Sequence, residues 1–262
     1  LDTSGSMGTN ISFGGGSISR LAAMKQAVID SLNDLYNSGA ENIRIHIVQF
    51  NNNGSTVGTY DLTSGGVDDP TALASAISAV NGLTSGNGTN YEGGLQEVID
   101  WITPGGSDPL ASADVNKVVF ISDGKPNRAL NNSGGVVSGL SAAVAMQHVL
   151  GTYDTWPNGN DDSVSEVATI EGSGFTIEAI GINVGDTALG YLSQVEGSGG
   201  SATNITTAEE LSAVVGELSG GQSTQPAAAG DDTIIGGDGD DIIFGDAPNT
   251  DALADDPNGD GA

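Results

Sequence analysis

The sequence predicts an α/β fold with a doubly wound, mostly parallel central sheet flanked by helices. Two observations predict it. Strand-like apolar segments alternate along the chain with segments whose apolar residues recur at helical spacing. The runs Lys117–Gly124 and Phe175–Ile182 are almost continuously apolar, which is typical of strands that are buried on both faces of a parallel sheet.

In the first part of the chain, the apolar pattern predicts three helices and two strands. In chain order they are a helix with apolar residues from Leu21 to Leu35, a strand at Ile43–Phe50, a weaker strand at Thr56–Leu62, a short helix around Leu73–Val80 and a helix at Leu95–Ile102. The turn residues Asn51-Asn52-Asn53-Gly54 join the two strands and predict a hairpin. Pro104-Gly105-Gly106 ends the last of these helices.

The second part continues the alternation and then changes composition. Its further elements are a helix around Leu140–Gln147, an irregular polar loop at Gly151–Asp162, a helix around Val164–Ile170, a helix around Leu189–Val195, a short strand at Ala202–Ile205 and a helix around Leu211–Leu218. We therefore place the α/β domain at residues 1–220, a Gly, Ser, Gln, Ala and Pro linker at 221–229, and a Gly- and Asp-rich segment at 230–262.

The composition excludes several classes of function. The chain has 262 residues, and its formal charge is 6 − 34 = −28, which disfavours binding to nucleic acid or to an anionic membrane. No apolar run approaches the roughly 18 residues of a membrane span. Cysteine is absent, histidine occurs twice, and no hydrolase motif is present, so we expect no enzyme. The many carboxylates instead favour cations.

Three separated motifs offer hard oxygen ligands where predicted strands end. Asp2, Ser4 and Ser6 form a D-x-S-x-S motif, Thr89 precedes a helix, and Asp123 ends the most buried strand. The carboxyl ends of the strands in an open α/β sheet are where ligands bind. Hydroxyl and carboxylate oxygens suit Mg²⁺, Mn²⁺ or Ca²⁺ and not zinc. The D-x-S-x-S motif taken alone could equally be a polar turn.

Residues 1–220 resemble the von Willebrand factor A family, whose metal-ion-dependent adhesion site uses D-x-S-x-S, a Thr in a Gly-Thr loop and an Asp after the fourth strand. The resemblance implies that Asp2, Ser4, Ser6, Thr89 and Asp123 hold the metal. In that family the hydroxyls approach the metal, the carboxylates act directly or through water, and an open coordination position accepts a carboxylate from a ligand.

The chain departs from the family pattern at two places. The Gly-rich insertion Gly8–Ser19 is longer than expected, which affects the rim that faces the ligand. Only Leu1 precedes Asp2, where the family has an apolar central strand, so we expect that strand upstream in a longer parent protein.

The Gly- and Asp-rich segment carries a second pattern. Gly236–Phe244 fits the nonapeptide G-G-x-G-x-D-x-U-x, and Gly230–Ile235 fits the end of a preceding repeat. The segment resembles RTX (repeats-in-toxin) calcium-binding repeats, which implies a short Ca²⁺-binding β-roll fragment. The implied Ca²⁺ ligands are Asp232, Gly237, Gly239 and Asp241. Roughly three stacked repeats are needed for stability, so a disordered acidic tail is the alternative.

Lys125 and Arg128 follow Asp123 in a predicted rim loop, where they could recognise an acidic ligand or form an ordinary solvated loop. The two resemblances together imply a monomeric extracellular adhesion module of a large bacterial RTX adhesin, exported by type I secretion. It would bind a protein or glycan ligand on another cell or surface through Mg²⁺, Mn²⁺ or Ca²⁺. The alternatives are an intracellular partner-docking subunit, a calcium-stabilised spacer, and a hydrolase in which the metal activates water.

Overall fold

The computed structural model describes residues 1–218, apart from 104–112, 114, 132, 154–162 and 198. The linker predicted at 221–229 and the RTX-like segment predicted at 230–262 lie outside the described residues, together with the four Ca²⁺ ligands implied for it and most of the predicted polar loop at 151–162.

The described residues form seven helices and ten strands. The helices are α1 (Arg20–Tyr36), α2 (Pro70–Gly82), α3 (Tyr91–Ile102), α4 (Ala142–Val149), α5 (Glu166–Gly172), α6 (Asp186–Val195) and α7 (Ala208–Leu218). The strands are β1 (Asn10–Phe13), β2 (Gly16–Ser19), β3 (Ile43–Phe50), β4 (Gly54–Ser64), β5 (Val67–Asp68), β6 (Lys117–Ser122), β7 (Arg128–Leu130), β8 (Val136–Ser138), β9 (Thr176–Ile182) and β10 (Thr203–Ile205).

The predicted helices and strands are all present, with shifted ends. Val164 is the main exception, because it lies before α5 and is exposed. Two hairpins were not predicted. The Gly-rich insertion forms the first, β1 paired with β2, and β7 paired with β8 is the second.

The sheet has a parallel half and an antiparallel half. Strands β6, β9 and β10 pair in parallel, in the order β10-β9-β6. Strands β3, β4 and β5 pair antiparallel. The prediction of a mostly parallel sheet therefore holds for the first group only, because tight turns connect β3, β4 and β5 where helices would connect parallel strands.

A short segment at the start of the chain, Leu1–Thr3, lies between the two halves. On one side its backbone makes hydrogen bonds of 2.8 to 3.0 Å with Val48 and Phe50 of β3. On the other side the amide of Asp2 donates to the carbonyl of Ile121 in β6 at 2.9 Å. Asp2 is thereby placed where both β3 and β6 end.

Helices cover both faces of the parallel half. Ile121, Ile180 and Ile182 belong to a buried cluster with side chains of α1 and α7. Phe120 and Ile177 belong to a second cluster with side chains of α3, α4, α5 and α6. Alternate residues of a strand face opposite sides, so both faces of β6 and β9 are buried as the apolar runs predict. Among the helices that the structure describes, none is long and apolar enough to cross a membrane.

Candidate metal centre

Asp2 lies at the buried bottom of the candidate site. Its side chain is fully enclosed. One carboxylate oxygen accepts a 2.7 Å hydrogen bond from the amide of Ser4, and the other accepts a 2.6 Å bond from the hydroxyl of Ser122. The pKa of Asp2 is raised to about 6: burial is the main cause, the charge of Asp123 adds to the rise, and the hydrogen bonds from Ser122 and Ser4 oppose it.

Two serine hydroxyls connect the first motif to the end of β6. A 3-10 turn at Gly5–Gly8 folds the chain back after Ser4, so that the hydroxyls of Ser4 and Ser6 lie 3.1 Å apart. The Ser6 hydroxyl also donates to Asp123 Oδ1 at 2.7 Å. Ser4 is buried and Ser6 is exposed. The structure thus brings Asp2, Ser4, Ser6 and Asp123 into one cluster, open to solvent at Ser6.

The loop that carries Thr89 lies against the first motif. The amide of Gly86 donates to the carbonyl of Thr3 at 2.8 Å, and the amide of Gly5 donates to the carbonyl of Asn87 at 3.0 Å. Asn87 adopts a left-handed backbone with φ of 68°, which allows the tight bend before Thr89. Two backbone hydrogen bonds therefore hold the loop beside the serines.

Thr89 itself is buried and is fixed from the other side by Asn127. The amide of Thr89 donates to the side chain of Asn127 at 3.1 Å, and the amide of Asn127 donates to the carbonyl of Thr89 at 2.9 Å. All three predicted motifs consequently belong to one network of loops, although no hydrogen bond joins the Thr89 hydroxyl directly to the serines.

Helix α3 supports the cluster from below. Asn90 caps this helix by accepting a 2.9 Å bond from the amide of Gly93. The hydroxyl of the next residue, Tyr91, donates to the carbonyl of Gly124 at 2.5 Å and lies 3.2 Å from the Ser122 hydroxyl. Burial raises the pKa of Tyr91 well above its usual range, so its hydroxyl stays a donor. Sequence reasoning assigned no role to Tyr91 or Ser122, because both lie in apolar or helical patterns.

Arg20 is a further site residue that sequence reasoning missed. Its guanidinium donates to Asp123 Oδ2 at 2.9 Å, and the two side chains are 15% and 0% exposed. Arg20 is the first residue of α1, where the Ser19 hydroxyl caps the helix by accepting from the amide of Ala22 at 3.1 Å. The hairpin of β1 and β2 directly precedes Arg20 and places it beside Asp123. The signal in the sequence was an arginine directly after the insertion, in a chain with six Lys and Arg.

The two predicted rim cations differ in their environment. Arg128 is half-buried, and its Nε donates to the side-chain oxygen of Asn52 at 2.7 Å. The amide of Gly88 donates to the same oxygen at 2.9 Å. A Cβ atom on Gly88 would lie 2.6 Å from Arg128 Nε, so the guanidinium packs directly on the loop beside Thr89. Lys125 is exposed in the loop between Asp123 and Arg128.

The donor set fits a hard divalent cation. The cluster offers serine and threonine hydroxyls and two carboxylates, which are the ligand types that Mg²⁺, Mn²⁺ and Ca²⁺ prefer. Within the described ranges, no group of three or more His, Cys, Asp or Glu side chains could hold a metal. A cation here would therefore depend on hydroxyls and water in addition to the carboxylates.

Comparisons with known proteins agree with this fold. Residues 1–125 match the family model of the von Willebrand factor type A domain. The comparison with curated proteins gave no match. Similar solved structures include the vWF domain of the type V pili tip protein Mfa5 from Porphyromonas gingivalis, with a TM-score of 0.56 and 15% identity over 84% of this chain and 91% of that one.

Two further pilus proteins are similar in structure. The PilB minor pilin from Streptococcus sanguinis has a TM-score of 0.56 and 19% identity, over 84% of this chain and 59% of that one. The open conformation of the pilus adhesin SpaC from Lactobacillus rhamnosus GG has a TM-score of 0.56 and 15% identity, over 84% of this chain and 28% of that one. These findings support a von Willebrand factor type A domain in this chain, which corresponds in length to part of the last two proteins.

Proposed function

We propose that this chain is an extracellular adhesion module that holds a divalent cation at Asp2, Ser4, Ser6, Thr89 and Asp123. The observation that carries the proposal is the Ser6 hydroxyl, which lies 3.1 Å from the Ser4 hydroxyl and 2.7 Å from Asp123 Oδ1. Residues 117 positions apart thus meet at one solvent-facing point. The similarity to pilus adhesin and pilus tip domains supports the adhesive role.

The carboxylates and hydroxyls have different roles in this proposal. Both oxygens of Asp2 and both oxygens of Asp123 already accept hydrogen bonds from the protein. The hydroxyls of Ser4, Ser6 and Thr89 are the groups left to face the cation, and the carboxylates act mainly through water or through those hydroxyls. The bound cation would supply a Lewis acid with an open position for an acidic group of a protein or glycan ligand.

Arg128 extends the proposed binding surface. Its guanidinium lies on Gly88, next to Thr89, and Asn52 orients it. A ligand carboxylate that reaches the cluster from this side would also meet a positive charge, in a chain whose net charge is −28. Lys125 is exposed in the same loop and can add to this charge.

The wider context rests on the RTX-like pattern at 230–262. Ca²⁺ binding by Asp232, Gly237, Gly239 and Asp241, a bacterial cell-surface location and type I secretion are parts of the proposal that depend on that segment. A calcium titration followed by circular dichroism tests it. An RTX-bearing adhesin gains ordered structure at millimolar Ca²⁺, whereas an intracellular docking subunit does not respond.

The metal site is tested by isothermal titration of the full chain with Mg²⁺. A D232N/D241N background removes RTX-like carboxylates that could add heat. In that background Ser6→Ala should weaken Mg²⁺ binding by about tenfold or more, since it removes an exposed hydroxyl of the cluster. Ser138→Ala in β8 also removes an exposed serine hydroxyl and serves as the matched control. Equal affinities in the two variants would contradict the proposed site.

A further inference from the structure

We infer that Arg20 lowers the cation affinity of the cluster by neutralising Asp123. The inference rests on the proposed function, because it concerns the same site. Nothing in the D-x-S-x-S, Gly-Thr and Asp pattern requires an arginine at this place, and the hairpin of β1 and β2 is the feature that brings it in.

The geometry places a positive charge beside one carboxylate oxygen of Asp123. The guanidinium donates to Oδ2 at 2.9 Å, while the Ser6 hydroxyl takes Oδ1 at 2.7 Å. The Asp123 side chain has no exposed surface, and the Arg20 side chain is 15% exposed. Water therefore screens this pair little, and its charges act on the cluster at more than their strength in bulk solvent.

The charge balance of the cluster follows directly. Asp2 and Asp123 contribute two negative charges. Arg20 offsets one of them, so an incoming cation meets a net charge of about −1 and not −2. A cation that approaches Ser6 from solvent lies near Asp123 and therefore also near the guanidinium, which repels it. Both the attraction to the carboxylates and the repulsion by Arg20 double when the ion carries two charges, so a divalent ion still experiences twice the net attraction of a monovalent ion at the same position.

The hydrogen-bond donors of the Arg20 guanidinium are not all satisfied. Its Nε is buried and has no hydrogen-bond partner among the residues that the structure describes. Its second terminal nitrogen donates to the carbonyl of Asn183 only at the long distance of 3.4 Å. A purely structural ion pair would be expected to satisfy the buried Nε donor. The unsatisfied donor indicates that stability alone does not explain the arginine at this position.

The positive charge of Arg20 also affects the binding of an acidic ligand once a cation is bound. A divalent ion with Arg20 brings three positive charges against the two carboxylates, which leaves a net charge of about +1 for an acidic ligand. Without Arg20 the loaded cluster would be neutral. Arg20 is thus expected to lower the cation affinity of the cluster and to strengthen the attraction of the loaded cluster to anionic groups.

The experiment compares Mg²⁺ affinity in the full chain and in three variants, all in the D232N/D241N background. R20Q removes the charge, R20K keeps it, and R44Q is the control. Arg44 pairs with Asp61 on the surface, with side chains 34% and 52% exposed. It lies six residues before the end of β3, roughly 20 Å from the cluster. R44Q therefore changes the net charge by the same amount as R20Q without touching the site.

R20Q should bind Mg²⁺ about tenfold more tightly than the parent, R44Q should stay within about twofold, and R20K should lie between the parent and R20Q. Circular dichroism in EDTA establishes that each variant is folded, and R20K tests the inference should R20Q fail to fold. The inference is overturned if R20Q or R20K binds Mg²⁺ more weakly than the parent, or if R20Q binds it equally well. Either outcome leaves the proposed metal site unaffected. An absence of Mg²⁺ binding in the parent and in every variant overturns both.

Discussion

The hydroxyl of Ser122 donates a 2.6 Å hydrogen bond to Asp2 Oδ2, and this bond joins the end of β6 to the first residues of the chain. Both side chains are fully buried. The same hydroxyl lies 3.2 Å from the hydroxyl of Tyr91 in α3. Ser122 therefore connects the buried carboxylate of the cluster to the helix beneath it.

Ser122→Ala should lower the free energy of unfolding by about 1–3 kcal/mol, because it leaves a buried carboxylate oxygen without its donor. Urea denaturation in EDTA measures this. Ser138→Ala, at an exposed position of β8, should change the unfolding free energy by less than about 0.5 kcal/mol. A loss in Ser122→Ala no larger than in this control would show that the hydrogen bond does not contribute.

The raised pKa of Asp2 predicts a pH dependence of the cation-free protein. The folded state holds the Asp2 proton up to about pH 6, whereas the unfolded chain releases it near the ordinary value of 3.8. Between these values the folded state binds more protons, so its stability should fall as pH rises from 4 to 6, by about 3 kcal/mol from this group.

Denaturation in EDTA across that pH range checks the sign. Asp2→Asn is the control, since an amide can keep the hydrogen bond from the Ser4 amide and does not titrate. The difference in stability between the parent and Asp2→Asn should therefore change steadily from pH 4 to pH 6 and level off above it. A difference that does not change over this interval would mean that Asp2 titrates at its ordinary pKa.

Asn52 is expected to position the loop that carries Thr89. Its side-chain oxygen accepts from the amide of Gly88 at 2.9 Å and from Arg128 Nε at 2.7 Å. Asn52→Ala should weaken Mg²⁺ binding by about tenfold, as the loss of an outer support of a metal site often does. Isothermal titration measures it.

Asn42→Ala is a matched control for this change. The Asn42 side chain likewise accepts from a glycine amide, that of Gly65 at 2.8 Å, but it precedes β3 at the end of the strand away from the cluster. The Asn42→Ala variant should bind Mg²⁺ with the same affinity as the parent. Equal weakening in both variants would point to general destabilisation.

Close packing of β4 on α3 predicts opposite effects at two glycines. A Cβ atom on Gly54 would overlap the backbone carbonyl of Gly93 in α3. Gly54→Ala should therefore destabilise the fold by about 2–3 kcal/mol. Gly190 in α6 is exposed and has open space around the position of a Cβ, so Gly190→Ala should stabilise by about 0.5–1 kcal/mol. Thermal unfolding distinguishes them, and a neutral Gly54→Ala would contradict the packing.

The cluster could be predicted from the sequence where residue type and position within an element decide the outcome. Asp123 directly follows β6, Asp2 pairs with the last residue of β3, and the ends of neighbouring strands meet at one edge of the sheet. The structure places them accordingly, with Ser4 and Ser6 between them. That these groups hold a cation stays a prediction.

The partners of these residues could not be predicted, because tertiary register decides them. Arg20 reaches Asp123 only because the insertion folds as a hairpin, and local patterns did not show that hairpin. Ser122 ends an apolar run that indicates a buried strand and says nothing of its neighbour Asp2. The antiparallel pairing of β4 with β5 rests on a strand of two residues, too short to produce a periodic signal.

The hydrogen bonds that build the cluster span long stretches of the chain. Asp2 and Ser122 are 120 residues apart, Ser6 and Asp123 are 117 apart, and Arg20 and Asp123 are 103 apart. Contacts of such high sequence separation form slowly, after local helices and hairpins. A chain still under synthesis that ends before β6 can make none of these bonds. Cation binding at the cluster would therefore require that β6 has already paired with Leu1–Thr3, and a chain that has not reached that stage would show no binding at this site.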